Sequence, residues 1–247
     1  MATFLIVHGS WSGAHAWRWV RPLLRAAGHD VFTPSLTGLG ERAHLARPDT
    51  DLATHVEDVV ATLHYEDLTD VVLVGHSYGG MVITGVADRV PERIAQLVYL
   101  DAEVPRDGES EMDVMPDEEG QGYAEAARSR GGGWRVPPPF PDPLPPGLPP
   151  VVQWVIARMV PQPLATMTQP LRLSAPDRPG PPRTYIYCTE GKDGEPVPGY
   201  VQRAFDDPDW RIVRLAATHT LHVTSPELLA ETLVGLAAPE PASRARA

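Results

Sequence analysis

Val71-Val72-Leu73-Val74-Gly75-His76-Ser77-Tyr78-Gly79-Gly80 is an apolar strand that runs directly into a turn of small residues, with helix-forming sequence beyond it to about Val90. The turn is a G-x-S-x-G motif in the setting that gives it meaning, between a strand and a helix. So sharp a reversal holds the central serine in a strained backbone conformation. Gly75 and Gly79 leave room for the turn, and Gly80 lets the helix approach the sheet. The Ser77 hydroxyl is then presented at the carboxyl edge of a sheet and the start of a helix. Free amides and the helix dipole there favour a developing negative charge. The pattern predicts a nucleophile at Ser77.

A serine hydroxyl needs a general base, and the base needs an orienting group. Where a serine elbow sits on a parallel sheet, the chain order is serine, acid, histidine. Two histidines follow the last strand-like segment. His219, close behind Leu215, is the expected base, and His222 is expected to pack. The expected acid is Asp193, in the Gly191–Gly194 turn after the strand Thr184–Cys188. Glu190, Glu195 and Asp101, at the end of an earlier strand, remain alternatives. His8-Gly9-Ser10-Trp11 follows the first strand, so the amides of Ser10 and Tyr78 are expected to form an oxyanion hole. His219 and His222 lack a nearby cysteine or acidic third ligand, and neither a metal nor another cofactor is expected.

Outward from the elbow, strands and helices alternate as in a parallel sheet covered on both faces. Thr3–Val7, Asp30–Thr33, Val71–Val74 and Gln96–Leu100 read as strands; Trp17–Ala27 and Leu52–Tyr65 read as helices. The alternation breaks near Glu103 and resumes with strand Thr184–Cys188, helix Gly199–Phe205, strand Trp210–Leu215 and helix Pro226–Ala237. Between them the chain is proline-rich, most densely at Pro137–Pro150 and Pro176–Pro182, which excludes sheet interiors and long helices there. Gln121–Arg130 and Val151–Val160 are the helical stretches within it, and the acidic run Asp117-Glu118-Glu119 reads as a solvated surface. The division is therefore a core of residues 1–102 and 183–238, a cap or lid over residues 103–182, and a flexible tail, 239–247. Trp11 and the segment's Trp134, Trp154, Met159 and Met167 either line a pocket under the lid or form a small core of the lid's own.

The 247 residues suffice for one large domain, and a formal charge of −11 argues against a nucleic-acid partner. Lys192 is the only lysine, a bias that reads as genomic base composition. One cysteine, Cys188, excludes an intrachain disulfide. No apolar run is long enough to span a bilayer, and no leader precedes the first strand, so a cytoplasmic monomer or homodimer without a membrane partner is expected. Gly38-Leu39-Gly40-Glu41-Arg42-Ala43 fits a dinucleotide fingerprint by chance. It does not follow the first strand, and Pro48 cuts off a long helix after it.

His8-Gly9-Ser10, Gly13, Trp17, Pro22–His29 and Val74–Met81 together resemble the α/β-hydrolase superfamily. They are most similar to the branch holding plant methylesterases, hydroxynitrile lyases and bacterial esterases. The likeness runs from Phe4 to about Pro105 and returns from Tyr185 to Leu229. It implies an α/β-hydrolase fold with a mostly parallel sheet of about six strands, and hydrolysis of a small to medium ester, lactone or thioester through an acyl-enzyme. The lyases of the branch carry threonine where Gly9 stands and lysine directly after the catalytic histidine, where this chain has Thr220. Those departures favour hydrolysis over carbon–carbon lysis. The loop after Thr189 is one residue longer than in the plant relatives, which leaves the acid open. A triad-bearing ligand receptor with little turnover is the remaining alternative.

Overall fold

The computed structural model describes residues 1–176, 178–192 and 194–238, so the tail 239–247 lies outside the described residues. The strands are β1 (Thr3–Val7), β2 (Asp30–Phe32), β3 (Val71–His76), β4 (Ile94–Leu100), β5 (Arg135–Val136), β6 (Gln162–Pro163), β7 (Arg183–Cys188) and β8 (Trp210–Leu215). Six of them form one parallel sheet in the order β2-β1-β3-β4-β7-β8, and β5 pairs antiparallel with β6. The helices are α1 (Val20–Ala26), α2 (Leu52–Tyr65), α3 (Gly79–Arg89), α4 (Glu111–Val114), α5 (Asp117–Arg130), α6 (Pro150–Ile156), α7 (Leu164–Thr168), α8 (Gly199–Asp206), α9 (Leu221–Thr224) and α10 (Pro226–Ala237).

Strand side chains alternate between two cores, which is why the strands read as unbroken apolar runs. Leu5, Val7, Val71 and Leu73 pack with apolar residues of α2 and α3 on one face. Phe4, Ile6, Val72 and Val74 pack with residues of α1 and α10 on the other. Asp51 caps α2 by accepting from the Thr54 amide at 2.9 Å, so this helix starts where its apolar spacing predicts. The chain winds from β1 outward to β2, then back across to β3 and onward. The strand order therefore reverses beside β1, and ligand crevices open at the carboxyl ends of strands at such a point.

Departures from the expected elements are local. The predicted helix from Trp17 is instead a 3-10 turn, Ala14–Trp17, followed by α1, because Trp17 turns fully into the core and stacks on His222. Between β4 and β7, α5 begins at Asp117, with Asp117, Glu118 and Glu119 in the first turn, where negative charge suits the helix dipole. The expected helix Val151–Val160 ends at Ile156; beyond it the Val160 amide donates to the Trp11 carbonyl, tying this segment to the loop after β1. The one-turn helices α4 and α7 are too short to leave a periodic signal.

Candidate active site

Ser77 follows β3 with φ at +53°, the left-handed conformation that a side chain adopts only under constraint. The turn is fixed by three close approaches. A Cβ on Gly75 would lie 2.6 Å from the Gly79 carbonyl oxygen, and one on Gly79 would lie 2.6 Å from that of Val7. One on Gly80 would collide with the Glu103 carbonyl. The amides of Ser10 and Tyr78 have no protein acceptor among the described residues, whereas the Trp11 amide is taken by Gln162 Oε1 at 2.9 Å. Tyr78 itself is locked in the core, its hydroxyl donating to His55 Nδ1 at 2.9 Å.

His219 lies between β8 and α9, and its Nδ1 sits 2.7 Å from Asp101 Oδ2. A carboxylate there accepts from Nδ1–H, so that in the neutral ring Nε2 is the basic nitrogen. Asp101, directly after β4, is buried with φ at +44° and also accepts from the Cys188 amide at 3.2 Å and from Lys192 Nζ at 2.6 and 2.8 Å. Burial alone would raise its pKa, but the hydrogen bond and charge of His219, and then those of Lys192, outweigh it and hold the carboxyl below its ordinary value. Of the acids weighed from sequence, Asp193 lies outside the described residues. The described carboxylate on the imidazole is Asp101, which sequence spacing ranked only as an alternative.

His76, inside the motif, donates from Nε2 to the His219 carbonyl at 2.8 Å and so ties the elbow to the histidine loop. Burial lowers its pKa to about 3 and keeps it a neutral donor. His222 is buried against Trp17 and His76 as expected of a packing residue, yet it also edges a cavity. Among the described residues, no group of three or more His, Cys, Asp and Glu side chains is disposed to hold a metal ion.

Ser77 and His219 border two cavities. One, of about 320 Å³, is walled by Trp11, Phe140, Val152, Val155, Ile156 and Met159. The other, of about 700 Å³, carries Asp101, Glu103, Glu111, Glu119, Tyr123 and Lys192. Trp11 and Met159 thus line a pocket, whereas three other expected pocket residues do not. Met167 is fully buried in a small core with Ala127 and Val136. Trp154 packs on the far side against Trp19, Arg18 and Arg158, and Trp134 stacks under Arg135. Trp11 joins that small core, so residues from the 103–182 stretch pack with the loop after β1, and others from the stretch line the site. Sequence reading passed over Glu103, Glu111 and Lys192; a solitary lysine in an arginine-rich chain was the available signal.

The sequence profile described as "Alpha/beta hydrolase family" matches residues 4–232. A carbendazim hydrolyzing esterase of Nocardioides sp. (strain SG-4G) is 41% identical over 244 residues, 96% of this chain and 100% of that protein. Methylesterase 8 of Arabidopsis thaliana is 36% identical over 106 residues, 41% of this chain and 38% of its own length. Among solved structures, an extracellular alpha/beta-hydrolase from a Paenibacillus species superposes with a TM-score of 0.81 at 28% identity, covering 95% of this chain and 98% of the other.

Proposed function

This chain belongs to the alpha/beta hydrolase family, and from that premise we propose that Ser77, His219 and Asp101 hydrolyse a small to medium carboxylic ester through an acyl-enzyme. The protein is a carboxylic ester hydrolase, and its full-length relative in Nocardioides is an esterase by name. The observation that carries the residue assignment is the Asp101–His219 pair at 2.7 Å, on the cavity wall that also holds the strained Ser77. As Ser77 Oγ attacks the carbonyl carbon, His219 Nε2 takes its proton, and Asp101 stabilises the imidazolium. The amides of Ser10 and Tyr78 receive the oxyanion. Collapse of the tetrahedral intermediate breaks the bond to the alcohol, which leaves with the proton from His219. Water then attacks the acyl carbon, giving its proton to His219, and the acid departs as Ser77 is restored.

The smaller, apolar cavity suits the hydrocarbon part of the ester, and residues 103–182 act as its cap. Against carbon–carbon lysis stands Gly9, where a Cβ would lie 2.9 Å from Ser77 Cβ and 3.1 Å from His76 Nδ1, leaving no room for the threonine of the lyases. Intact-mass labelling with a fluorophosphonate tests the nucleophile. One adduct on the wild type and none on Ser77→Ala is expected, with loss of p-nitrophenyl butyrate and carbendazim turnover in the variant. Wild-type labelling and turnover by Ser77→Ala overturns the assignment.

A further inference from the structure

The larger cavity holds an unusual concentration of unmatched carboxyls beside the nucleophile. Glu111, only 3% exposed, uses Oε1 to accept from Ser10 Oγ at 3.1 Å, while its Oε2 is buried without a partner. Glu103 Oε2, on the same wall, is likewise buried and unpartnered. Glu119 borders the opening and accepts from Tyr123 at 2.6 Å. Among the described residues lining this space the one cation is Lys192, and Asp101 already engages it. Buried polar atoms are rarely left unpaired in folded proteins, so each of these carboxyl oxygens calls for a donor, whether a water, an ion or a group on a ligand.

We propose that this acidic compartment is a substrate subsite for a planar N–H-donating cation, an amidinium or guanidinium carried on the ester, with Glu111 and Glu103 as its acceptors. N–H groups on a planar cationic fork are strong donors to carboxyl oxygens such as the free Oε2 atoms here, and their charge favours the ionised form that burial disfavours. Burial, and then the neighbouring Glu103, raises the pKa of Glu111 well above its ordinary value; an incoming cation reverses that penalty. The inference deepens the reading of Ser77 as nucleophile, because the subsite opens on the same serine. The apolar cavity and the acidic compartment then take opposite ends of one substrate.

Calorimetric titration of the full chain tests the subsite without requiring turnover, so its failure is separable from failure of the hydrolase reading. Benzamidine is the probe, and benzyl alcohol is the neutral control. Benzamidine is expected to bind at least about tenfold more tightly than benzyl alcohol, and Glu111→Gln to weaken it about tenfold. Glu119→Gln, an exposed position that leaves the fold intact, is expected to weaken it about threefold, and it carries the test if Glu111→Gln does not fold. Val152→Trp, at a half-buried position on the wall of the apolar cavity, is expected to leave benzamidine binding unchanged. Equal affinity for the two probes overturns the proposal. So does wild-type binding by every folded glutamate variant, or loss of binding in a folded Val152→Trp.

Discussion

His219 and Asp101 stand 118 residues apart in the chain, yet Nδ1 of one lies 2.7 Å from Oδ2 of the other. The sheet makes this contact. β4, which ends just before Asp101, lies between β3, which ends at the elbow, and β7. The Asp101 amide donates to the Ile186 carbonyl at 2.8 Å and its carboxylate receives the Cys188 amide, so β7 fixes the acid from one side. Lys192, from the turn after β7, closes over it.

The first prediction follows from that contact. Asp101→Asn removes the acceptor that sets the tautomer of His219, and kcat on p-nitrophenyl butyrate is expected to fall about 10³- to 10⁴-fold. Asp193→Asn and Glu190→Gln are expected to stay within about threefold of wild type, since the proposed mechanism gives the imidazole to Asp101 alone. Steady-state assays of the three variants decide the matter, and the opposite ranking would unseat Asp101.

Acid stability should be governed by neutral buried histidines. His8 donates from Nδ1 to the Gly9 carbonyl and accepts the Leu36 amide on Nε2; His55 donates to the Thr37 carbonyl and accepts from Tyr78. Burial lowers both to about 4, and His76 to about 3. Because the folded values lie below the unfolded one, their stabilisation is present in full above about pH 6.5 and is lost as pH falls toward 4. Each removes about 1–3 kcal/mol over that window. Urea midpoints are expected to fall steeply between pH 7 and pH 4.5; a flat profile contradicts the neutral assignments.

Gly9 should tolerate no side chain. With Ser77 Cβ 2.9 Å from the position of an added Cβ, Gly9→Thr must displace the elbow. Butyrate ester hydrolysis is expected to fall more than about tenfold, without any gain of mandelonitrile cleavage. A variant that cleaves mandelonitrile would revive the lyase reading.

Chain-length preference is expected to follow the apolar cavity. Met159→Trp narrows it, so hydrolysis of p-nitrophenyl octanoate is expected to drop about tenfold or more while the acetate stays within about threefold. Trp154→Ala removes a residue that packs on the outer side, and the octanoate-to-acetate ratio is expected to stay put. A shift in that ratio with Trp154→Ala and none with Met159→Trp would place the acyl chain elsewhere.

Much of this molecule is written in short-range terms. The elbow is a local steric statement: a serine forced to positive φ between two glycines that backbone crowds from both sides, legible as five consecutive residues. The parallel sheet shows in apolar runs whose alternate side chains feed two cores, and the break between β4 and β7 shows in prolines that no strand interior accepts. The histidine was legible because it lies close behind a strand end. The pairing of Asp101 with that histidine was not, since Asp101 directly follows one strand while Glu190, Asp193 and Glu195 follow another within a few residues, and spacing ranks them only weakly. Strand order and the path of one loop decide which carboxylate meets the imidazole, and they also gather Glu103, Glu111 and Lys192 from distant segments into one wall. Local sterics fix what each residue does to its own backbone. Convergence in space depends on how the whole sheet is stacked, and only the folded chain carries that.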